Sequence, residues 1–286
     1  MYFDQLFQMI ENGIRDVYDS SRYRRYLTTM SNFHSYSLNN CLLIFSQMPE
    51  ATLVAGYHTW RKQFGRHVKH GEHGIRILAP VRTKKEEAEE EQEELHFKSI
   101  CVFDVSQTEG DPLPTYMDET LDGTVKDYDQ FMNELKLISP VPVEETVLSS
   151  GIHGCYRPKQ EVIQIQKNMP QLQTIKTLVH EIAHASLHNR HNNGEQLSHE
   201  QKEIEAESIA YILCRHFGLD TGEYSFGYLA GYSSSRELPE LRASMERIHQ
   251  ASDNLISQIE TLRHPERMMS RGTHQIEADV EAILEL

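Results

Sequence analysis

Thr177-Leu178-Val179-His180-Glu181-Ile182-Ala183-His184-Ala185-Ser186-Leu187-His188 is the stretch on which the reading of this chain turns. It contains H-E-x-x-H. On a helix, residues four apart share a face, one turn removed. His180 and His184 can therefore present two imidazoles to one metal ion. Glu181 lies about 100° further round, so its carboxylate reaches a metal-bound water without being a ligand. Two His ligands, a Glu general base and an open coordination position make up the site of a zinc hydrolase, and Zn2+ is the expected cofactor. Leu172, Ile175, Leu178, Val179, Ile182, Ala183 and Leu187 recur at helical spacing around the histidines, which predicts a buried helix. Pro170 suits its start, and the turn residues from Asn189 to Gly194 its end. The plain alternative is a polar helix with incidental histidines, His188 among them.

A second helix is predicted over the run from Glu203 to Cys214, closing at Gly218. A zinc site of this kind needs a third protein ligand, often a Glu from the next helix. Glu203 and Glu207 share a face. Glu203 is assigned as the ligand, and Glu207 is expected to accept a hydrogen bond from a ligand histidine. The exchange of these two roles stays open. Glu205 points to the opposite side and reads as a solvated charge.

At 286 residues, one large or two modest domains are possible. No apolar run approaches the length of a membrane span, and no secretory signal is visible at Met1-Tyr2-Phe3-Asp4-Gln5. Cys41, Cys101, Cys155 and Cys214 are far apart. They read as reduced core thiols of a cytoplasmic protein.

Charge is divided unequally. Residues 1–85 hold 12 Lys/Arg against 6 Asp/Glu, while the remainder holds 16 against 37. A basic N-terminal part and an acidic C-terminal part suggest different partners. Residues 2–30 and 36–48 read as helices, the latter capped by Ser37 and closed by Pro49. Eight Lys/Arg between Arg61 and Lys85 face one Glu, with Tyr57, Trp60 and Phe64 close by. Basic residues interleaved with aromatics suit single-stranded DNA, which offers backbone charge and unstacked bases. The candidate contacts are Trp60, Arg61, Lys62, Arg66, Lys69, Arg76, Arg82, Lys84 and Lys85. A lone Trp60 is more often core than a stacking platform.

Glu86 to Glu94 carries seven glutamates and reads as a solvated loop. A strand pattern resumes from His96 to Val105. Residues 126–138 look helical, and Val143 to Lys167 contains two strand-like runs. The second, Glu161 to Gln166, directly precedes the metal helix, a place where a strand of zinc peptidases can bind an extended peptide by edge pairing. The tyrosine-rich run from Tyr224 to Tyr232 could supply an oxyanion donor or simply pack. The expected fold class is α+β in two domains: 1–115 and 126–262, with a linker at 116–125 and a peripheral tail at 263–286.

With both halves read, the chain resembles ArdC-type antirestriction proteins of bacterial mobile elements. The N-terminal likeness rests on Tyr36-Ser37-x-Asn39-Asn40, Ala51-Thr52-x-Val54-Ala55-Gly56-Tyr57-x-x-Trp60, Gly71-Glu72-x-Gly74-Ile75-x-Ile77-x-Ala79-Pro80 and Val102-Phe103-Asp104-Val105-x-Gln107-Thr108. The C-terminal likeness rests on His180-Glu181-x-x-His184 and Glu203-x-x-x-Glu207. The resemblance implies a single-stranded-DNA-binding domain followed by a zincin-like metallopeptidase domain related to ImmA/IrrE. It leaves a peptide substrate or a restriction-modification partner open, and the glutamate run is no part of its motif. Two other functions compete: a non-catalytic single-stranded-DNA-coating protein with a structural metal, and an acidic DNA mimic that occupies a restriction enzyme.

Overall fold

The computed structural model describes residues 2–18, 20–85, 92–113, 127–189, 197–219 and 236–264. The chain divides into two compact units that do not follow its order. Described residues 2–13 and 36–113 form the first, and residues 14–35 and 127–264 form the second. Helix and strand mix in both, as an α+β chain requires.

Where one N-terminal helix is expected over 2–30, two occur: α1 (Tyr2–Val17) and α2 (Ser20–Asn32). In the first unit α3 (Leu38–Gln47) starts as expected, with the Ser37 side chain accepting from the Asn40 N–H. It buries Leu38, Leu42, Ile44 and Phe45. Strands β1 (Val54–Gly56), β3 (Ile75–Lys85) and β4 (Gln92–Asp104) form an antiparallel sheet in the order β1-β4-β3. Helix α4 (Tyr57–Lys62) follows β1, and β2 (Arg66–Val68) pairs with β5 (Thr108–Gly110).

β3 is an edge strand, whose outer amides would otherwise lack partners. Helix α3 supplies them. Asn40 donates to the Leu78 carbonyl at 2.8 Å and accepts from its N–H at 2.9 Å. Gln47, two turns on, does the same for Arg76 at 2.8 and 2.9 Å. Asp104 ends β4 as a buried anchor, accepting from the backbone N–H groups of Thr52, Leu53 and Ser106. Gln107 accepts from the Asp104 N–H and donates to Glu72 and the His73 carbonyl.

β4 begins at Gln92 rather than near His96. Glu93 and Glu94 therefore lie in a strand and not in a loop, a correction to the reading of the glutamate run. The register sets Lys84 opposite Glu93.

In the second unit, α5 (Tyr128–Ile138) leads to a sheet of β6 (Val143–Thr146), β7 (Gly154–Arg157) and β8 (Val162–Gln166), ordered β6-β8-β7. β8 is thus the central strand. It pairs in parallel with β6 and antiparallel with β7, so it has no edge for a peptide. That expectation is corrected: the edges belong to β6 and β7.

Helices α6 (Gln171–Leu187), α7 (His199–His216) and α8 (Leu238–Arg263) complete the unit. Ile175, Leu178, Val179 and Ile182 of α6 are buried, as are Ile163 and Ile165 of β8. Burial of each such side chain contributes about 1.5–3 kcal/mol. α2 packs against α7: the Tyr23 hydroxyl meets Ser208 Oγ at 2.8 Å, and Thr28 meets the Tyr211 hydroxyl at 3.0 Å. Among the described residues no helix is long and apolar enough to cross a membrane. All four cysteines are free, Cys41 and Cys214 being buried and Cys101 and Cys155 half-buried.

Candidate functional site

His180 and His184 project from one face of α6, their Nε2 atoms 3.0 Å apart. Glu203, in the second turn of α7, brings Oε2 to 3.6 Å from His180 Nε2 and Oε1 to 3.4 Å from His184 Nε2. These three side chains can hold one metal ion. His199, one turn before Glu203, places its Nδ1 3.6 Å from Glu203 Oε1.

The charge balance fits a divalent cation. Burial pulls the His180 pKa down, but the carboxylates of Glu203, Glu207 and Glu181 raise it overall. The same negative field favours a metal. Burial lowers His184 to about 4, which keeps that ring in the neutral, ligating form. Both histidines hold the Glu203 carboxyl well below its usual range, so it stays an ionised donor.

Glu181 stands apart from this trio. Its Oε2 accepts from the Tyr156 backbone N–H at 2.6 Å. Burial raises its pKa, against the opposing pull of His180 and of that hydrogen bond, with Glu203 adding to the rise. A carboxylate tuned upward suits proton transfer near neutrality. Gly154 on β7 makes the approach possible. A Cβ there would lie 2.5 Å from Thr177 Cγ2 and 3.1 Å from Glu181 Cγ.

Glu207 is raised chiefly by burial and interacts electrostatically with His180, Glu203 and Lys176. The orienting partner that the structure gives His184 is a different residue. His184 Nδ1 lies 2.9 Å from His188 Nδ1, and His188 Nε2 lies 3.1 Å from Glu205 Oε2. The carboxylate can only accept, so a neutral His188 ring donates from Nε2 and has its lone pair on Nδ1. His184 must then donate from Nδ1, which leaves its Nε2 lone pair facing His180 and Glu203.

Glu205 anchors this relay and is fully buried, not solvated; that reading is corrected. Arg247 of α8 grips it through Nε at 3.1 and 3.2 Å and through Nη2 at 2.6 Å. Ser244 donates at 2.8 Å and Gln201 at 3.3 Å. Burial alone would raise its pKa, but His188, Arg247 and Ser244 bring it below the usual value. A buried carboxylate without such partners would cost several kcal/mol.

The proposed DNA contacts fare differently. Trp60 is fully buried, donating from Nε1 to the Phe103 carbonyl at 2.8 Å, with its ring centroid 5.0 Å from that of Phe64. A ring so enclosed offers no face to a base, and its stacking role is corrected to a core role. Arg61 and Lys62 end α4 and are exposed. Arg66 is half-buried and donates to Thr108 Oγ1 at 2.8 Å and to the Thr108 carbonyl at 3.0 Å. Lys69 donates to the Ser106 carbonyl at 2.8 Å. Arg76 is exposed on β3. Arg82, Lys84 and Lys85 lie further along that strand, their side chains outside the described residues. The exposed aromatic of this region is Tyr57. With Arg61, Gly65, Arg66 and His67 it lines a cleft of about 390 Å³.

Residues 3–105 match the family described as the N-terminal domain of anti-restriction factor ArdC. Residues 138–214 match the IrrE N-terminal-like domain, a metallopeptidase-like class. The N-terminal part thus matches an ArdC-type domain and the C-terminal part an IrrE-like one. Two crystal structures of the antirestriction protein ArdC from plasmid R388 share its fold. The metal-free form has a TM-score of 0.52 at 20% identity, over 80% of this chain and 84% of that one. The Mn(II)-bound form has a TM-score of 0.54 at 18% identity, over 88% and 97%. An uncharacterised protein of Bacillus anthracis is 25% identical over 300 aligned positions, covering 89% of this chain. This chain spans about half, 50%, of that relative's length.

The motif residues of the ArdC-type N-terminal half divide by burial. Asn40, Trp60, Asp104 and Gln107 build the domain, while Tyr57 faces outward. In the second half, sequence reading missed His188, Glu205 and the Tyr156 N–H. One signal was present: His180, His184 and His188 recur every four residues, so the stripe turns only about 40° per step. Nothing in the sequence announced Arg247. The tyrosine-rich run at 224–232, the 116–125 linker and most of the 263–286 tail lie outside the described residues.

Proposed function

We propose that this chain is a cytoplasmic antirestriction protein. In this reading its first unit binds single-stranded DNA, and its second is a zinc-dependent peptidase with His180, His184 and Glu203 as ligands. The observation that carries the reading is the convergence of those three donors beside a carboxylate that is separately anchored. When bound, zinc supplies Lewis-acid polarisation of a carbonyl and acidification of a water. Glu181, with Oε2 held by the Tyr156 N–H, takes the proton of the attacking water and delivers it to the leaving nitrogen. The edge strand β7 runs beside Glu181 and offers backbone groups to an extended peptide. Tyr57 takes over the stacking role first read on Trp60, with Arg61 and Lys62 neutralising phosphates. The likeness to the R388 antirestriction protein ArdC, one structure of which has Mn(II) bound, supports the antirestriction role and a divalent metal.

The test is to incubate zinc-loaded wild type and Glu181→Gln with host lysate, with and without single-stranded DNA, and to compare the new peptide termini. Cleavage by the wild type and a loss of about 10²–10⁴-fold in the variant, with zinc retained, is the expected result. Equal cleavage by both would remove Glu181 from the mechanism. Wild type that cleaves nothing while still binding single-stranded DNA would favour the coating protein with a structural metal.

A further inference from the structure

The second unit brings together a further pair of imidazoles and a carboxylate. His34 follows α2, His216 is the last residue of α7, and Glu260 lies one turn before the end of α8. They are 182 and 44 residues apart in sequence, yet one ligand atom from each falls within 4.8 Å of the other two. The two rings meet nearly edge to face, at 84° with centroids 4.7 Å apart.

The proton positions on these rings follow from their neighbours. His216 Nδ1 lies 2.9 Å from the Ser31 carbonyl oxygen. A carbonyl can only accept, so His216 donates from Nδ1. His34 Nδ1 lies 2.9 Å from Asp253 Oδ1, and an ionised carboxylate likewise only accepts. Each neutral ring therefore has its lone pair on Nε2. Both lone pairs face the same carboxylate oxygen: Glu260 Oε1 is 3.2 Å from His216 Nε2 and 4.0 Å from His34 Nε2. Three electron-rich groups turned towards one another repel unless a cation lies among them.

A ligand histidine whose other N–H is held by a carboxylate or a backbone carbonyl is the usual support of a metal site. Here both histidines have that support. The side chains are sheltered but reachable, with exposures of 9% for His34, 20% for His216 and 22% for Glu260. We propose that His34, His216 and Glu260 form a second divalent-metal site of the zinc class, oriented by Asp253 and the Ser31 carbonyl. Water completes the coordination. The site braces the start of the second unit against the ends of α7 and α8.

The competing cation is a proton, which would make His216 an imidazolium paired with Glu260 and bind no metal. The experiment separates the two on the full chain. The His180→Ala/His184→Ala variant, stripped with chelator, is titrated with zinc at neutral pH, dialysed and assayed for bound metal. The second site is untouched in this variant, so one zinc per chain should remain and its melting temperature should rise with added zinc. Introducing Glu260→Gln or His216→Gln into that background should abolish both the retained zinc and the shift. The stripped proteins should still melt cooperatively. Absence of retained zinc in the His180→Ala/His184→Ala variant overturns the site. So does one zinc that survives both Glu260→Gln and His216→Gln.

Discussion

The α6–α7 centre and the Tyr57–Arg76 region of the first unit are both rich in motif residues, but those residues do different work. In the centre the motif side chains converge on one point. Around Arg61 to Arg76 they turn inward, tie down backbone, or spread along a surface. The difference comes from the geometry each function needs. A metal demands several donors within one coordination sphere, and helical spacing alone supplies two of them. Binding a flexible polyanion demands only charge and an exposed flat ring. A buried tryptophan and an exposed one look the same in sequence.

The largest expected effect tests the convergence. His184→Ala should lose the α6–α7 metal outright, as measured by elemental analysis after dialysis. Full retention at that site would show that the three donors do not act together. Next comes Trp60→Ala. As a core residue Trp60 should cost about 3–5 kcal/mol of stability in thermal or denaturant melting. A stable variant with lost DNA affinity would restore the stacking role and erase the contrast drawn here.

His188→Phe tests the relay. It removes the acceptor for His184 Nδ1 while Glu205 keeps Arg247 and Ser244. Zinc affinity should fall about 10–100-fold, read by competition with a chelating dye. An unchanged affinity would assign His188 a packing role. The smallest effect belongs to the surface. Tyr57→Ala should weaken single-stranded DNA binding by about 1–3 kcal/mol without lowering the melting temperature. Arg61→Ala should flatten the salt dependence of binding by about one phosphate contact. If neither substitution changes titration with a labelled oligonucleotide, the DNA site lies elsewhere.

The α6–α7 centre was legible because its chemistry is local. His180, Glu181 and His184 lie within five residues, so periodicity places them on one helix; on the next helix it offered Glu203 and Glu207 alike, and the fold set Glu203 beside both histidines. Ser37 as a helix cap and the strand around Ile75 to Leu78 were legible for the same reason. Glu205 was not. Helical geometry turned it away from the metal correctly, but only packing against Arg247, some forty residues on, makes that side the interior. β8 reads as a strand from its alternation, yet sheet order, which makes it central and β7 the edge, depends on pairing that leaves no mark within the segment.

By itself, then, the sequence determined the spacing of the candidate metal ligands His180 and His184, the α+β class and the uneven division of charge, since each depends on residue type and short-range spacing. The tertiary structure alone decided that α2 belongs with the C-terminal half, that Trp60 is core, and that His34, His216 and Glu260 meet. Those outcomes depend on which apolar faces find each other across the chain. Burial is a property of that final packing, and long-range contacts carry no fixed spacing by which they could be read in advance.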